Sequence, residues 1–205
     1  DQGIISGSSF RHASLRLAFD APTGFQLQNS PEAVTGEGRD GAQFLFTDVG
    51  AQSNQSISDV VRSVWQQTVG QMPQANYRER QVNRIEAGLS EARVHTGSGQ
   101  IVDLGINVFR LPSGQTYLLR TVSPPGGSAQ FEQMIASFRQ LSSAEATAAA
   151  KGRRIDIVTV RAGDTARSLA ARMSSPYNRV DSFLALNGIG NRALQPGERL
   201  KLIVG

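Results

Sequence analysis

The side chains that could do chemistry are few. The chain has two histidines, His12 and His95, and no cysteine. Helical zinc hydrolases need His-Glu-x-x-His, two imidazoles one turn apart with a carboxylate between them. No such run occurs. There is no Gly-x-Ser-x-Gly nucleophile elbow and no phosphate-binding loop. Gly97-Ser98-Gly99 reads as a turn, because no helix start follows it. Asp103, Glu79 and Glu91 fall on strand-like segments without the paired spacing that acid–base work requires. The expectation is therefore a chain with no catalytic constellation and no metal ligands of its own.

Composition narrows the partners. At 205 residues one or two domains are expected. The net charge is +4, yet only Lys151 and Lys201 are lysine and the arginines are scattered, with only Arg153-Arg154 adjacent. A nucleic-acid surface needs a clustered basic stripe with aromatics between, so that class is set aside. No apolar run approaches the roughly 18–20 residues of a membrane span. The absence of cysteine excludes disulfides and thiolate metal sites. The chain starts at Asp1 without a signal-like segment, so it reads as an excised or processed piece.

The elements follow from periodicity. Residues 1–14, with Gly3, Gly7 and several serines, read as a flexible lead-in. Leu15, Leu17 and Phe19 alternate with polar neighbours as in a half-buried strand. Further strands are expected from Phe25, over 33–38 and over Gln43–Val49, the last two joined by a turn at 38–41. From Ser56 to Val69 the period changes to that of an amphipathic helix, with Ile57, Val60, Val61, Val64 and Trp65 on one face. Ser56 and Asp59 resemble a capping box at its start. Strands follow over Arg78–Ile85, Leu89–Thr96, Ile101–Leu111 and Gln115–Val122. A second helix, capped by Ser128, is expected to bury Phe131, Met134, Ile135, Phe138 and Leu141. The fold class is α+β: a layered antiparallel sheet with helices over residues 15–141. That arrangement resembles the PsbP-like sandwich.

Residues 142–154 are alanine-rich without an apolar stripe and read as a linker. The stretch 155–205 is then a compact βααβ unit. Ile155, Ile157 and Val160 mark a strand, and Arg161-Ala162-Gly163-Asp164-Thr165 turns it into a helix that Asp164 or Thr165 can cap. Leu169, Ala170 and Met173 face inward, as do Val180, Phe183, Leu184 and Leu186 of a second helix. Asn187-Gly188 stops that helix, and Gln195-Pro196-Gly197-Glu198 leads into a closing strand.

Three of these pieces, Val160–Thr165, Phe183–Gly188 and Leu194–Leu200, stand in the order and spacing of the LysM (lysin motif) domain, which this unit resembles. The resemblance implies binding of N-acetylglucosamine-containing glycans, chiefly peptidoglycan. It places the groove between Gly163, Asp164, Thr165 and Ala166 on one side and Asn187, Gly188, Ile189 and Gly190 on the other. Turn backbones can hydrogen-bond an acetamido group, and a small apolar surface can take its methyl. Ala166 and Arg167 stand where the family usually has a large apolar residue and an aromatic or serine. The connection Ser174–Arg179 is also longer than the family's.

A second resemblance rests on Ser9-Phe10-Arg11-His12, Leu15–Asp20, Pro22-x-Gly24-Phe25 and Asn29-Ser30-Pro31. These look like the region downstream of the catalytic domain in bacterial zinc metalloproteases of the HtpX and CAAX-prenyl-protease class. It implies an accessory C-terminal region of a cell-envelope metalloprotease. The zinc-binding domain would lie upstream, and the unit over 155–205 would tether the protein to peptidoglycan in the periplasm or envelope. Zinc is then expected only in that upstream domain. The other reading kept open is a protein-interaction module with a degenerate LysM fold that binds no glycan.

Overall fold

The computed structural model describes residues 3–51, 54–71, 73–74, 76–150, 154–173, 179–190 and 192–204. The chain divides into two compact units, Asp1–Ala149 and Ala150–Gly205.

The N-terminal unit is built on an antiparallel seven-stranded sheet. Its strands are β4 (Gln26–Asn29), β5 (Ala33–Glu37), β6 (Gln43–Ala51), β7 (Asn76–Val82), β8 (Ile85–His95), β9 (Ile101–Arg110) and β10 (Gln115–Ser123), in the order β4-β5-β6-β10-β9-β8-β7. A second sheet of four strands orders β1 (Ile4–Ser6), β2 (Ser9–His12), β3 (Leu17–Asp20) and β11 (Arg139–Gln140). Helix α1 (Ile57–Val69) covers one face of the large sheet. Its stripe Ile57, Val60, Val61, Val64 and Trp65 is buried with Ile106 and Val108 of β9. The other face carries the small sheet and α2 (Glu132–Ser137), joined through Phe10, Phe19, Phe46, Phe109 and Phe138. Phe109 and Phe138 stack with ring centroids 4.2 Å apart. The expected α+β layering is therefore what the chain adopts, since each sheet face needs an apolar cover.

Several local expectations need correction. The flexible lead-in over 1–14 is instead a hairpin: Ser6 pairs with Ser9 across a two-residue turn, and Phe10 is only 2% exposed. Its glycine and serines supply the turn, and one aromatic residue anchors it. The strands expected to end at Ile85 and restart at Leu89 are β7 and a continuous β8, joined by a turn at Asn83-Arg84 with φ of 47° and 66°. Asn83 holds that turn by donating to the Ala136 and Phe138 carbonyls at 2.9 Å each. Ser128 caps nothing: a 3-10 turn at Ser128–Phe131 precedes α2, and the Ser128 hydroxyl goes to Glu91 at 2.9 Å. The apolar stripe through Leu141 is buried as expected, but Phe138 is already extended and leads into β11, which pairs with β3. At α1, Ser56 accepts from the Asp59 N–H at 3.1 Å, while the Asp59 carboxylate takes the Ser56 hydroxyl and Arg62. The Ser56 backbone N–H also bonds the Asp59 carboxylate, so the pair forms the expected capping box with aspartate in place of glutamate.

The linker stretch holds a helix, α3 (Ser143–Ala150), with no buried residue. Glu145 at its first turn pairs with Arg139, which holds its carboxyl down to about 2. Residues 151–153 of that stretch lie outside the described residues.

The C-terminal unit pairs β12 (Arg154–Thr159) antiparallel with β13 (Arg199–Val204) and packs α4 (Ala166–Ala170) and α5 (Arg179–Asn187) on them. Val158, Val160, Leu200 and Leu202 meet Leu169, Ala170, Met173 and Phe183 in one core. Ile155 and Ile157 are not part of it. They alternate out of phase with Val158 and are 58% and 46% exposed. The expectation about the Ser174–Arg179 connection falls on 174–178, outside the described residues.

Candidate functional site

The two turns singled out above are built by their own side chains. After β12 the chain must reverse into α4. Gly163 supplies φ of 90°, a left-handed conformation that costs a residue with a Cβ about 1 kcal/mol or more. The Asp164 carboxylate accepts the Arg161 N–H at 2.8 Å and closes the turn on itself. Thr165 is the N-cap: its hydroxyl oxygen accepts the Ser168 N–H at 3.0 Å, and Ser168 accepts the Thr165 N–H at 2.9 Å. This reciprocal box was legible as Thr-x-x-Ser, but the usual signal has glutamate or glutamine at the fourth position.

At the other turn, α5 ends at Asn187. Gly188 and Gly190 have φ of 61° and 55°. The Gly188 and Ile189 N–H groups fold back to the Ala185 and Leu184 carbonyls at 3.2 and 3.3 Å, a closure of the Schellman type. The Asn187 side chain is fully used. Its amide donates to the Phe183 carbonyl at 2.9 Å and the Lys201 carbonyl at 3.0 Å, and its oxygen accepts the Lys201 N–H at 2.7 Å. It thus clips the turn to β13. The segment between them is braced by the bidentate pair Arg192–Glu198 and by the Gln195 N–H on Glu198, which hold that carboxyl below its usual range.

Asp164, Thr165 and Asn187 therefore shape the two turns, and what remains toward a ligand is mostly backbone and small apolar surface. The first N–H groups of α4, those of Ala166 and Arg167, have no intrahelical acceptor by geometry. Ala166 and Ile189 are both half-buried against the core formed around Leu169 and Phe183. The structure thus sets the turn at Gly163–Ala166 and the turn at Asn187–Gly190 on one core. Free amides beside a small apolar surface can take an acetamido group.

The remaining residues that could do chemistry do not converge. His12 lies on β2, where its Nδ1 accepts the Leu15 N–H at 3.2 Å and burial lowers its pKa. His95 ends β8. Among the described residues no group of three His, Cys, Asp or Glu side chains is placed to hold a metal.

Residues 158–202 match the LysM domain family, so the C-terminal unit carries a LysM domain. Among solved structures the chain is similar to a protein from Bacteroides thetaiotaomicron VPI-5482, 10% identical with a TM-score of 0.49 over 93% of this chain. It spans 65% of the length of that protein. It is also similar to the Saccharomyces cerevisiae Ran-binding protein Mog1p, 11% identical with a TM-score of 0.48 over 69% of this chain and 98% of that one. Cyanobacterial PsbP from Synechocystis is 15% identical, with a TM-score of 0.48 over 67% of this chain and 95% of that one. No curated protein matches. No helix among the described residues is long and apolar enough to cross a membrane.

Proposed function

We propose that the protein binds peptidoglycan, or a related N-acetylglucosamine glycan, through its C-terminal unit. The observation that carries this reading is the LysM match over 158–202, together with the two preformed turns set on one core. The glycan is held by turn backbone, and Ala166 and Ile189 receive the acetamido methyl. One shallow site gives weak binding: a millimolar dissociation constant is about 4 kcal/mol. Its place of action is then the bacterial periplasm or envelope.

The chain carries the tether and no chemistry. Its arrangement suits an accessory region of an envelope zinc metalloprotease whose catalytic domain lies upstream. Support for that parent is the resemblance of Ser9–His12 and Pro22–Phe25, residues that supply Phe10 and Phe25 to the core. A second reading is favoured by one observation. The polar side chains of both turns are used internally, as a LysM fold kept only for protein contacts would have them.

Sedimentation with insoluble peptidoglycan tests the first reading. The full chain should pellet, soluble N-acetylglucosamine oligomers should release it, and Ala166→Glu should abolish retention. Glutamate suits the first turn of a helix, so that variant should remain folded. A folded wild type that stays in the supernatant, or an Ala166→Glu variant that still pellets, sinks the proposal.

A further inference from the structure

The N-terminal unit holds a polar cavity of about 180 Å³, far larger than the roughly 10–15 Å³ that one water needs. It lies on the face of the large sheet that carries α2, between β7–β10 and the segment Ser128–Ile135. Its floor is unusual. Thr121 is 4% exposed and Asn107 5%, so both are nearly removed from solvent. The Thr121 hydroxyl has no hydrogen-bond partner among the described residues. Among the described residues the one side-chain bond of Asn107 runs from its amide nitrogen to the Leu119 carbonyl at 3.3 Å, which leaves its side-chain oxygen unused. Neither oxygen is fully closed off, so each can offer a hydrogen bond to whatever fills the cavity.

The sheet register brings them together. Glu91, Gly105 and Thr121 form one cross-strand row, and Arg78, Leu89 and Asn107 the next. Gly105 is where a side chain would fill the floor: a Cβ there would stand 2.3 Å from the Thr121 hydroxyl and 3.2 Å from the Asn107 amide. The row is thus kept open by glycine and lined with unused hydrogen-bonding capacity.

The lining carries both signs of charge. Arg78 comes from the edge strand β7 and Glu132 from α2, and neither makes an ion pair among the described residues. Glu91 lies beside them with one oxygen taken by Ser128. A carboxylate ligand alone would face two glutamates, and an ammonium alone would face the guanidinium. A neutral sugar would leave Arg78 and Glu132 without a counter-charge. A ligand carrying both charges satisfies each wall with charge-assisted hydrogen bonds.

We propose that this cavity binds a small zwitterion of α-amino-acid type, its carboxylate on Arg78, its ammonium on Glu132 and Glu91, and its body over Thr121 and Asn107. This is independent of glycan binding by the C-terminal unit.

The test is NMR titration of the full chain, reading the backbone amides of β9 and β10. The probes are L-alanine for a free amino acid and alanyl-alanine for a peptide, with acetate, methylamine, glucose and N-acetylglucosamine as the single-charge and neutral arms. Saturable shifts at Gly105, Asn107 and Thr121 with alanine or the dipeptide are expected, and whichever binds more tightly identifies the source. Arg78→Gln and Glu132→Gln, both at exposed positions, should each weaken binding by about tenfold or more. Thr121→Val should weaken it several-fold without lowering the melting temperature, because the hydroxyl has no protein partner. The proposal is overturned if neither zwitterion shifts these amides at 50 mM (about 1.8 kcal/mol of affinity), or if acetate, methylamine or a sugar binds as tightly. It is also overturned if Arg78→Gln and Glu132→Gln bind like wild type.

Discussion

Asn187 separates two accounts of the C-terminal unit. A LysM groove residue would touch the glycan, whereas here the amide is spent on Phe183 and Lys201. Asn187→Ala removes three hydrogen bonds. At a net ~1 kcal/mol each, with the edge of β13 left to find water, the loss is about 2–4 kcal/mol. The unit spans Ala150–Gly205. A domain of this size has roughly 3–8 kcal/mol of stability at 0.05–0.15 kcal/mol per residue. The substitution should therefore take away about half of it and lower the melting temperature of this unit by roughly 10–25 °C. Trp65, the sole tryptophan, sits in the N-terminal unit, so its fluorescence should report an unchanged transition there. Calorimetry of the full chain reads both. Asn187→Asp sharpens the test: it keeps the acceptor for the Lys201 N–H but turns both donors into an oxygen facing two carbonyls. It should cost at least as much as alanine. An Asn187→Ala chain that melts like wild type yet no longer binds peptidoglycan would refute this reasoning and return Asn187 to the ligand.

Two further outcomes test the N-terminal unit. The Trp65 indole N–H donates to the Ser90 hydroxyl at 2.5 Å inside the core under α1. Ser90→Ala should destabilise by about 1–3 kcal/mol in urea titrations followed by tryptophan fluorescence, and a loss under ~0.5 kcal/mol would show that bond to be idle. The Asp103 carboxyl is held below its usual range by hydrogen bonds from Arg93 and then from the Gly126 N–H. A carboxylate depressed in the folded state stabilises above its unfolded pKa, near 3.9, and loses that contribution as pH falls through the folded value. Wild type should therefore lose more stability between pH 5 and pH 2 than Asp103→Asn does, and equal acid slopes would count against the pairing.

The fold was legible wherever a periodic run met a strong punctuating residue. The stripe from Ile57 to Trp65, with Ser56 before it and Gly70 after it, could be read as α1 nearly to the residue. It was not legible where ordinary residues do a glycine's work. Asn83-Arg84 carries no Gly, so the β7–β8 turn was displaced toward Gly88, which lies inside a continuous strand. Nor was it legible where long-range pairing overrides local pattern. Phe138–Leu141 continues the helical stripe of α2, but Arg139 and Gln140 pair with Ala18 and Leu17 from the far end of the unit. The cavity above Gly105 had no local signal at all. It exists because register aligns Glu91, Gly105 and Thr121 from three strands.

The C-terminal unit shows the converse: its motif was plain, and the roles inside the motif were not. Gly163, Asp164, Thr165, Asn187 and Gly188 stand out because they are the residue types that reverse a chain. Each is occupied in doing so, by a left-handed φ, a closed turn, a capping box or the clip to Lys201. A family pattern written in such residues reports the turns first and the ligand only through them. On the proposed glycan reading the atoms left for a ligand belong to backbone, so substitutions at Asp164 or Asn187 act on the shape of the turns. On the same reading, discrimination among glycans falls to positions whose side chains are not needed for the turns. Here those are Ala166, Arg167 and Ile189, and two of them depart from the family's habit. Ala166 is small and half-buried, and the exposed Arg167 beside it carries a positive charge. Strands whose peptide stems carry free carboxylates should therefore be retained in preference to neutral N-acetylglucosamine polymers.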